Sequence, residues 1–435
     1  MKELRVFGVI MFLFFTNSLL SGQSDDFWTY ILKKCPETLS VADAEEASAH
    51  FKNEYVLYID QPIDHNNPAL GTFQQRIFLS HYDRKAPVVF VTEGYAARNR
   101  DYELSKILKA NQIIVEYRYN GKSAPAKLDY KYLTNDQAME DLHAIRMAFK
   151  KVYKKKWIST GISKGGTTCL IYKSKYPDDV DVTVSYVGPL PKAREDERMD
   201  ELIIEKMKSS PCGKKIDELQ KFALRNDDEI IPKIDSLAKA DKITFNRVST
   251  AKAMEFAVLE LTFSFLQMGY SCDDVPEMLT VNSVFNYLKE IVGFDFYCDQ
   301  TIDYFEPAFY QFMTENGYYG FIHKPFEGLL DDLNQYDNEI FAPQGIPLEF
   351  DKDYMTRVRV FLHHFGDKVI YIQGGNDPWA ACRFVPPAER DAVYIEKEGA
   401  SHRLRIDGLD NAQQHEIYDA LKRWLRVKIY PLATE

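Results

Sequence analysis

Short apolar runs alternate with amphipathic segments through the first half of the chain, which is the pattern of strands separated by helices. Helices are predicted from Thr134, whose spacing to Gln137 matches a capping box, to Phe149, and again from Thr167 to Tyr176. Strands joined by helical crossovers predict an α/β fold with a mostly parallel sheet and helices on both faces. The predicted strands of this half are 55–59, 73–80, 88–91, 113–115, 157–160 and 182–187.

The pattern changes after Gly188, and from 192 to 355 predicted strands nearly vanish. Two long helical patterns rich in Phe, Leu and Met occupy 249–268 and 276–291. A helical block therefore interrupts the sheet. It is either a lid over the carboxyl edge of the sheet or an independent domain. The connections between the block and the sheet are short at both ends, which favours the lid.

Strands resume at 369–372 and 392–395, and a last helix is predicted over 411–426. The expected organisation is one sheet domain made of residues 24–191 and 356–435, with a helical cap at 192–355 inserted between them.

The first residues have the three-part pattern of a secretory signal, which we assign to 1–23. Lys2 and Arg5 give a positive start, 6–15 is apolar, and small and polar residues follow. The alternative is an uncleaved membrane anchor. No later stretch reaches about 18 uninterrupted apolar residues, so we expect no membrane span after cleavage and a secreted or periplasmic protein.

Composition narrows the function classes. The 435 residues are 45% hydrophobic and 27% charged, which excludes a disordered chain, and the net charge of −11 argues against a nucleic-acid binder. No Cys/His or carboxylate spacing suggests a metal, so no cofactor is expected. Export permits disulfides, and Cys212, Cys272 and Cys298 lie in one segment where two of them can pair. The oligomeric state stays open.

The strongest chemical signal is the sequence Gly161-Ile162-Ser163-Lys164-Gly165. It follows a predicted buried strand and opens a helix, which is the context of a nucleophile elbow. Ser163 would then project above the sheet at a helix N-terminus, where the dipole favours a developing oxyanion. The alternative is an ordinary strand-to-helix turn with an idle serine.

A nucleophilic serine needs a base, and the base needs an orienting carboxylate. Among the histidines after Ser163, only His402 sits in a loop just past a predicted strand. The others lie in the helical block (His323), before the next strand (His363 and His364) or inside the last helix (His415). Asp377 directly follows the strand at 369–372, whereas Asp367 precedes it and falls at the opposite edge. We therefore predict Ser163, Asp377 and His402 as the catalytic residues.

The oxyanion hole needs two backbone donors. We expect one from Lys164 and the other from the loop after the strand at 88–91, near Gly94 and Tyr95. The carboxylate of Glu93 in that loop would repel the negative charge of the oxyanion, so Glu93 should pair with a cation. A peptide amino terminus is one candidate, and a nearby arginine, Arg98 or Arg118, is the other. Acids of the inserted block, such as Glu255 or Glu260, are the alternatives to Glu93 for binding that amino terminus.

The ordered set of motifs resembles the secreted serine peptidases related to prolylcarboxypeptidase and dipeptidyl peptidase II. It is most similar to the bacterial tripeptidyl and prolyl tri/tetrapeptidyl aminopeptidases, serine peptidase family thirty-seven. The similarity runs through most of the chain and is weakest in the cap. The motifs that carry it are Gln61-Pro62-Ile63-Asp64-His65, Thr72-Phe73-Gln74-Gln75-Arg76, Glu93-Gly94, the segments 116–123 and 132–138, Gly161–Gly166, Asn376-Asp377-Pro378-Trp379 and His402.

This resemblance implies an α/β-hydrolase fold with a helical cap and a triad that carries over onto Ser163, Asp377 and His402. It also implies removal of tri- or tetrapeptides from free amino termini, often after proline. Glu93 and Trp379 are the expected substrate-binding residues. The residue types alone leave two alternatives, a carboxylesterase or lipase on the same fold and a catalytically idle exported binding protein.

Overall fold

The computed structural model describes residues 26–36, 38–43, 48–330 and 336–432. The expected signal at 1–23 lies outside the described residues. The described chain forms a nine-stranded sheet in the order β1-β2-β3-β5-β4-β6-β7-β8-β9. The strands are β1 (Thr38–Asp43), β2 (Asn53–Pro62), β3 (Thr72–His81), β4 (Val88–Thr92), β5 (Asn111–Val115), β6 (Trp157–Ile162), β7 (Val182–Tyr186), β8 (Val369–Gly374) and β9 (Val393–Lys397).

Helices cover the sheet and fill the interval between β7 and β8. None in the described part of the chain is long and apolar enough to cross a membrane. The α-helices are α1 (Asp26–Lys34), α2 (Glu103–Leu108), α3 (Asn135–Lys150), α4 (Lys164–Lys175), α5 (Arg198–Ser209), α6 (Gly213–Arg225), α7 (Asp227–Asp241), α8 (Thr250–Met268), α9 (Val281–Ile291), α10 (Asp299–Gln311), α11 (Tyr354–Phe365) and α12 (Asn411–Leu425).

The predicted mostly parallel sheet is confirmed, since the six strands from β5 to β9 run parallel. The first three strands instead form an antiparallel meander that joins β5 antiparallel. The reason lies in the connection between β2 and β3, which is too short for the helical crossover that a parallel pair requires. Strand β1 is absent from the sequence prediction.

Apolar side chains alternate between the two faces of the central strand β4. Val88 and Phe90 join the core that contains residues of α3, α4 and α11. Val89 and Val91 join the opposite core, with residues of α2 and α12. A parallel strand buried on both faces is a near-continuous apolar run, which explains the apolar residues 88–91 in the sequence.

Helices α5 to α10 form the block inserted between β7 and β8, and they share one apolar core. Cys212 and Cys272 form a disulfide within this block, which confirms the expected pairing of two of its three cysteines. The block also contributes residues to the candidate site described below. Its assignment as a separate cap domain at 192–355 stays a prediction.

Helix α3 begins as predicted but without a complete capping box, and α9 begins later than predicted. Thr134 caps α3 by accepting from the Gln137 amide, but the Gln137 side chain donates to Asp64 instead of closing the capping box. Helix α9 begins at Val281, because the N-cap Thr280 and Ser283 form a capping box there. Neither change moves the candidate site residues.

Candidate active site

Ser163 occupies a sharp turn between β6 and α4. Its backbone has φ +57° and ψ −125°, a conformation that non-glycine residues rarely adopt and that strained active-site turns use. The flanking glycines make the turn possible: a Cβ on Gly161 would lie 2.1 Å from the Gly165 carbonyl oxygen. Helix α4 therefore begins at Lys164, three residues earlier than the sequence predicts, directly after the serine.

Asp377 and His402 meet at the carboxyl edge of the sheet, as their positions after β8 and β9 predict. Nδ1 of His402 lies 2.6 Å from Oδ2 of Asp377, and the aspartate is fully buried. Since a carboxylate accepts, Nδ1 carries the proton and Nε2 is left as an acceptor. The other Asp377 oxygen accepts from the Trp379 amide, which fixes the carboxylate.

Ser163 lies at the same edge of the sheet, because β7 alone separates β6 from β8. No hydrogen bond joins Ser163 Oγ to His402 among the described residues. Hydrogen bonds between a nucleophile and its base often tighten only when a substrate binds. The His402 backbone amide donates to the Gln267 carbonyl at the end of α8, 2.9 Å away. The loop that carries the histidine is thus attached to the inserted block.

The loop after β4 packs against the start of α4, where the sequence predicts the oxyanion hole. Tyr95 lines a small recess together with Ser163 and Lys164. Within the described chain, the backbone N–H groups of Tyr95 and Lys164 donate no hydrogen bond. The Gly94 carbonyl accepts from the Lys164 side chain at 2.9 Å, so Gly94 holds the loop in place while its neighbour presents a free donor.

A second cavity of about 240 Å³ adjoins this recess and is lined largely by the inserted block. Tyr95, Phe312 and Trp379 line both spaces, so the two spaces are neighbours. The predicted substrate-binding residue Trp379 therefore stands between Ser163 and the inner cavity. The sequence prediction did not assign the other aromatic residues to the site, because helical Phe and Tyr patterns equally indicate plain core. They are Phe263, Phe296, Phe305, Phe309, Tyr318 and Tyr319.

Glu260 of α8 lines the inner cavity. Its two carboxylate oxygens accept from Tyr319 Oη at 2.9 Å and Ser264 Oγ at 3.0 Å. It forms no ion pair with any described residue, whereas Glu255 on the same helix pairs with Lys252 at 3.4 Å. Burial raises the pKa of Glu260 to about 7, since no cation offsets the loss of hydration. A buried carboxylate of this kind favours a cationic ligand.

Glu93 has a different environment from the one expected. Its carboxylate accepts from Tyr102 Oη at 2.5 Å and from Arg100 at 3.3 Å, and it lines neither space described above. The cationic partner is thus Arg100 instead of the predicted Arg98 or Arg118, because the Arg118 guanidinium is already bound to a buried carboxylate on α3. Substrate binding by Glu93 stays a prediction.

The raised pKa of Glu260 gives a test of its environment through stability. The folded protein keeps a proton on Glu260 that the unfolded chain loses near pH 4.5. The carboxyl group therefore lowers the free energy of unfolding as the pH rises from 4.5 to about 7, and this loss of stability is complete above about pH 7. We expect Glu260→Gln to raise the free energy of unfolding by about 3 kcal/mol at pH 8 and by little at pH 4. Denaturant titrations at both pH values measure this.

A matched control is Glu255→Gln on the same helix. It breaks an ion pair, so it should lower stability at pH 8 instead of raising it. A gain for Glu260→Gln that is the same at both pH values would contradict a raised pKa.

The sheet order, the strained serine and the buried Asp377–His402 pair define a serine hydrolase of the α/β-hydrolase fold. Residues 37–430 match the family model for the PS-10 peptidase S37 family. The chain belongs to that family and is a serine-type peptidase that acts on peptides, as the resemblance implies.

The relatives found by sequence agree with this family. The prolyl tri/tetrapeptidyl aminopeptidase of Streptomyces mobaraensis is 33% identical over 331 residues, 75% of this chain and 69% of that protein. Prolyl carboxy peptidase like protein 5 of Caenorhabditis elegans is 32% identical over 158 residues, 31% of each chain. Among solved structures, a proline iminopeptidase of Mycobacterium smegmatis aligns over 85% of this chain and 97% of its own, with 11% identity and a TM-score of 0.42.

Proposed function

We propose that this peptidase releases short peptides, of three or four residues, from free amino termini, with proline preferred before the cleaved bond. The observation that carries the proposal is the placement of Glu260. It is a buried carboxylate without a described cationic partner, in a cavity that adjoins the recess of Ser163. A peptide's terminal ammonium is the charge that such a site takes, and it distinguishes a chain end from a chain middle.

The proposed chemistry is acyl transfer. Ser163 Oγ attacks the scissile carbonyl while His402 Nε2 takes its proton, and Asp377 stabilises the imidazolium that results. The N–H groups of Lys164 and Tyr95 stabilise the oxyanion. His402 then returns the proton to the leaving amine, and water hydrolyses the acyl-enzyme by the same steps. No cofactor takes part in this scheme.

The recess beside Ser163 supports the preference for proline. Tyr95, Phe312 and Trp379 offer aromatic faces, and Pro189 and Pro191 complete an apolar lining that suits a compact ring. The inner cavity, at about 240 Å³, is smaller than the roughly 300–1,000 Å³ of common small-molecule pockets. It therefore admits only a few residues, which limits the released peptide.

Export is part of the proposal. It rests on the signal pattern at 1–23 and on the Cys212–Cys272 disulfide, which is a bond of oxidising compartments.

The testing experiment is digestion of a peptide library in matched free and N-acetylated forms, with the products read by mass. We expect tri- and tetrapeptides ending in proline from the free peptides and little release from the acetylated ones. Equal cleavage of both forms would contradict an exopeptidase. Hydrolysis of esters without cleavage of peptides would favour a carboxylesterase.

A further inference from the structure

The side chain of Lys164 is buried beneath the oxyanion loop, 4% exposed, although lysines are almost never buried without a partner. Its Nζ donates to the Gly94 carbonyl at 2.9 Å and to Gln311 Oε1 at 2.8 Å. It also lies 3.8 Å from the centre of the Tyr117 ring, a cation–π contact. These contacts tie the residue after the nucleophile to Gly94, Gln311 and Tyr117.

Packing alone does not account for a lysine here. Burial lowers the pKa of Lys164 to about 7, and only the charge of Glu315 offsets part of this effect. No described carboxylate forms an ion pair with Nζ. A methionine of similar shape would fill the space without the cost of dehydrating an ammonium. The lysine instead provides hydrogen-bond donors for two acceptors, the Gly94 carbonyl and Gln311 Oε1.

The Gly94 acceptor matters because of the peptide bond to which it belongs. In a trans peptide the C=O and the following N–H point in opposite directions, so fixing the Gly94 oxygen also fixes the direction of the Tyr95 N–H. That N–H donates to no described residue, and Tyr95 lines the recess with Ser163. The contact is close: a Cβ on Gly94 would lie 2.6 Å from the Lys164 Cβ.

We propose that the Lys164 side chain is a positioning group that clamps the Gly94–Tyr95 peptide so that its N–H faces the oxyanion formed at Ser163. The inference rests on the proposed acyl-transfer function. The clamp has a second anchor in Gln311, at the end of α10 in the inserted block. One residue thus supplies the first oxyanion donor through its backbone and orients the second through its side chain.

The test is Lys164→Met, which keeps the backbone donor and the approximate volume. We expect kcat on a prolyl peptide to fall about 100-fold, as for the loss of one oxyanion donor, with KM changed less than about threefold. The affinity for a peptide boronic acid, whose tetrahedral adduct occupies the hole, should fall by a similar factor. The affinity for the corresponding product peptide should not. A merely structural role would not separate these two affinities.

Lys252→Met is the matched control, since Lys252 Nζ lies 3.5 Å from the Tyr336 ring centre and the residue stands on α8 away from Ser163. It should leave kcat and boronate affinity unchanged. If Lys164→Met does not fold, Gln311→Leu is the variant that tests the clamp, because it removes the second anchor. It should lower kcat and the affinity for the boronic acid several-fold and leave the affinity for the product peptide unchanged.

Unchanged kcat and boronate affinity in the folded Lys164→Met variant would overturn the clamp, as would parallel losses of boronate and product affinity. The proposed function would survive either result if Ser163→Ala is inactive. An active Ser163→Ala would remove the proposed function and the clamp together.

Discussion

Ser163→Ala is expected to abolish peptide hydrolysis, with a loss in kcat on the order of 10⁴–10⁶-fold. The side chain is the proposed nucleophile, and no other described hydroxyl occupies the strained turn at the end of β6. Only an oxygen atom is removed, so the fold should persist. Initial rates on a prolyl peptide measure the loss, and an unchanged thermal unfolding midpoint shows that folding is unaffected.

Two further results decide whether Ser163 acts with the proposed partners. A fluorophosphonate should label the wild type on the peptide that contains Ser163 and should not label the alanine variant. His402→Ala should be similarly severe, whereas His415→Ala, on the outer helix α12, should leave kcat unchanged. Retention of more than about a tenth of the wild-type rate by Ser163→Ala would refute the assignment of the nucleophile. A large loss of kcat in His415→Ala would indicate that His415 is the general base instead of His402.

Glu260→Gln is expected to remove most of the preference for a free amino terminus. A truncated charge pair in a buried site costs about 2–5 kcal/mol, which corresponds to a loss of about 30-fold to about 4,000-fold in kcat/KM on free peptides. N-acetylated peptides have no ammonium to lose, so their slow turnover should change far less. The ratio of the two kcat/KM values, measured at pH 8, is the decisive quantity, because there the wild-type carboxylate is ionised.

The matched comparison is Glu93→Gln. The Glu93 carboxylate already holds Arg100 and Tyr102, so its loss should affect free and acetylated peptides equally, through the oxyanion loop. If Glu93→Gln instead narrows the ratio and Glu260→Gln does not, the amine anchor is Glu93, as the sequence predicts. If neither variant changes the ratio, recognition of the amino terminus lies elsewhere.

The sequence predicts the architecture well, because the strands of a buried parallel sheet must be continuous apolar runs. All eight predicted strands exist, and the loops that carry Asp377 and His402 meet as their positions after β8 and β9 require. The start of α4 is wrong by three residues, because Gly165 and Gly166 read as turn residues although the helix needs them for close packing against the sheet.

Side-chain partners could not be predicted in the same way. Glu93 and Arg100 are seven residues apart in an irregular loop, where no periodicity sets which charges meet. Glu260 was one of several acids in the insert, and only the folded structure distinguishes it from the paired Glu255. Its one signal in the sequence is a carboxylate within the largely apolar stretch 256–266. The contacts of Lys164 join segments about 70 and 147 positions away, which local patterns do not report.

Helix α8 has two structural roles that matter for any attempt to re-engineer this enzyme. Glu260 faces the inner cavity, and two turns later the Gln267 carbonyl supports the loop of His402. Exchanging the inserted block with that of a relative would therefore replace the support of the His402 loop together with the lining of the inner cavity. A library that diversifies the cavity while leaving the last turn of α8 untouched would separate selectivity from reactivity.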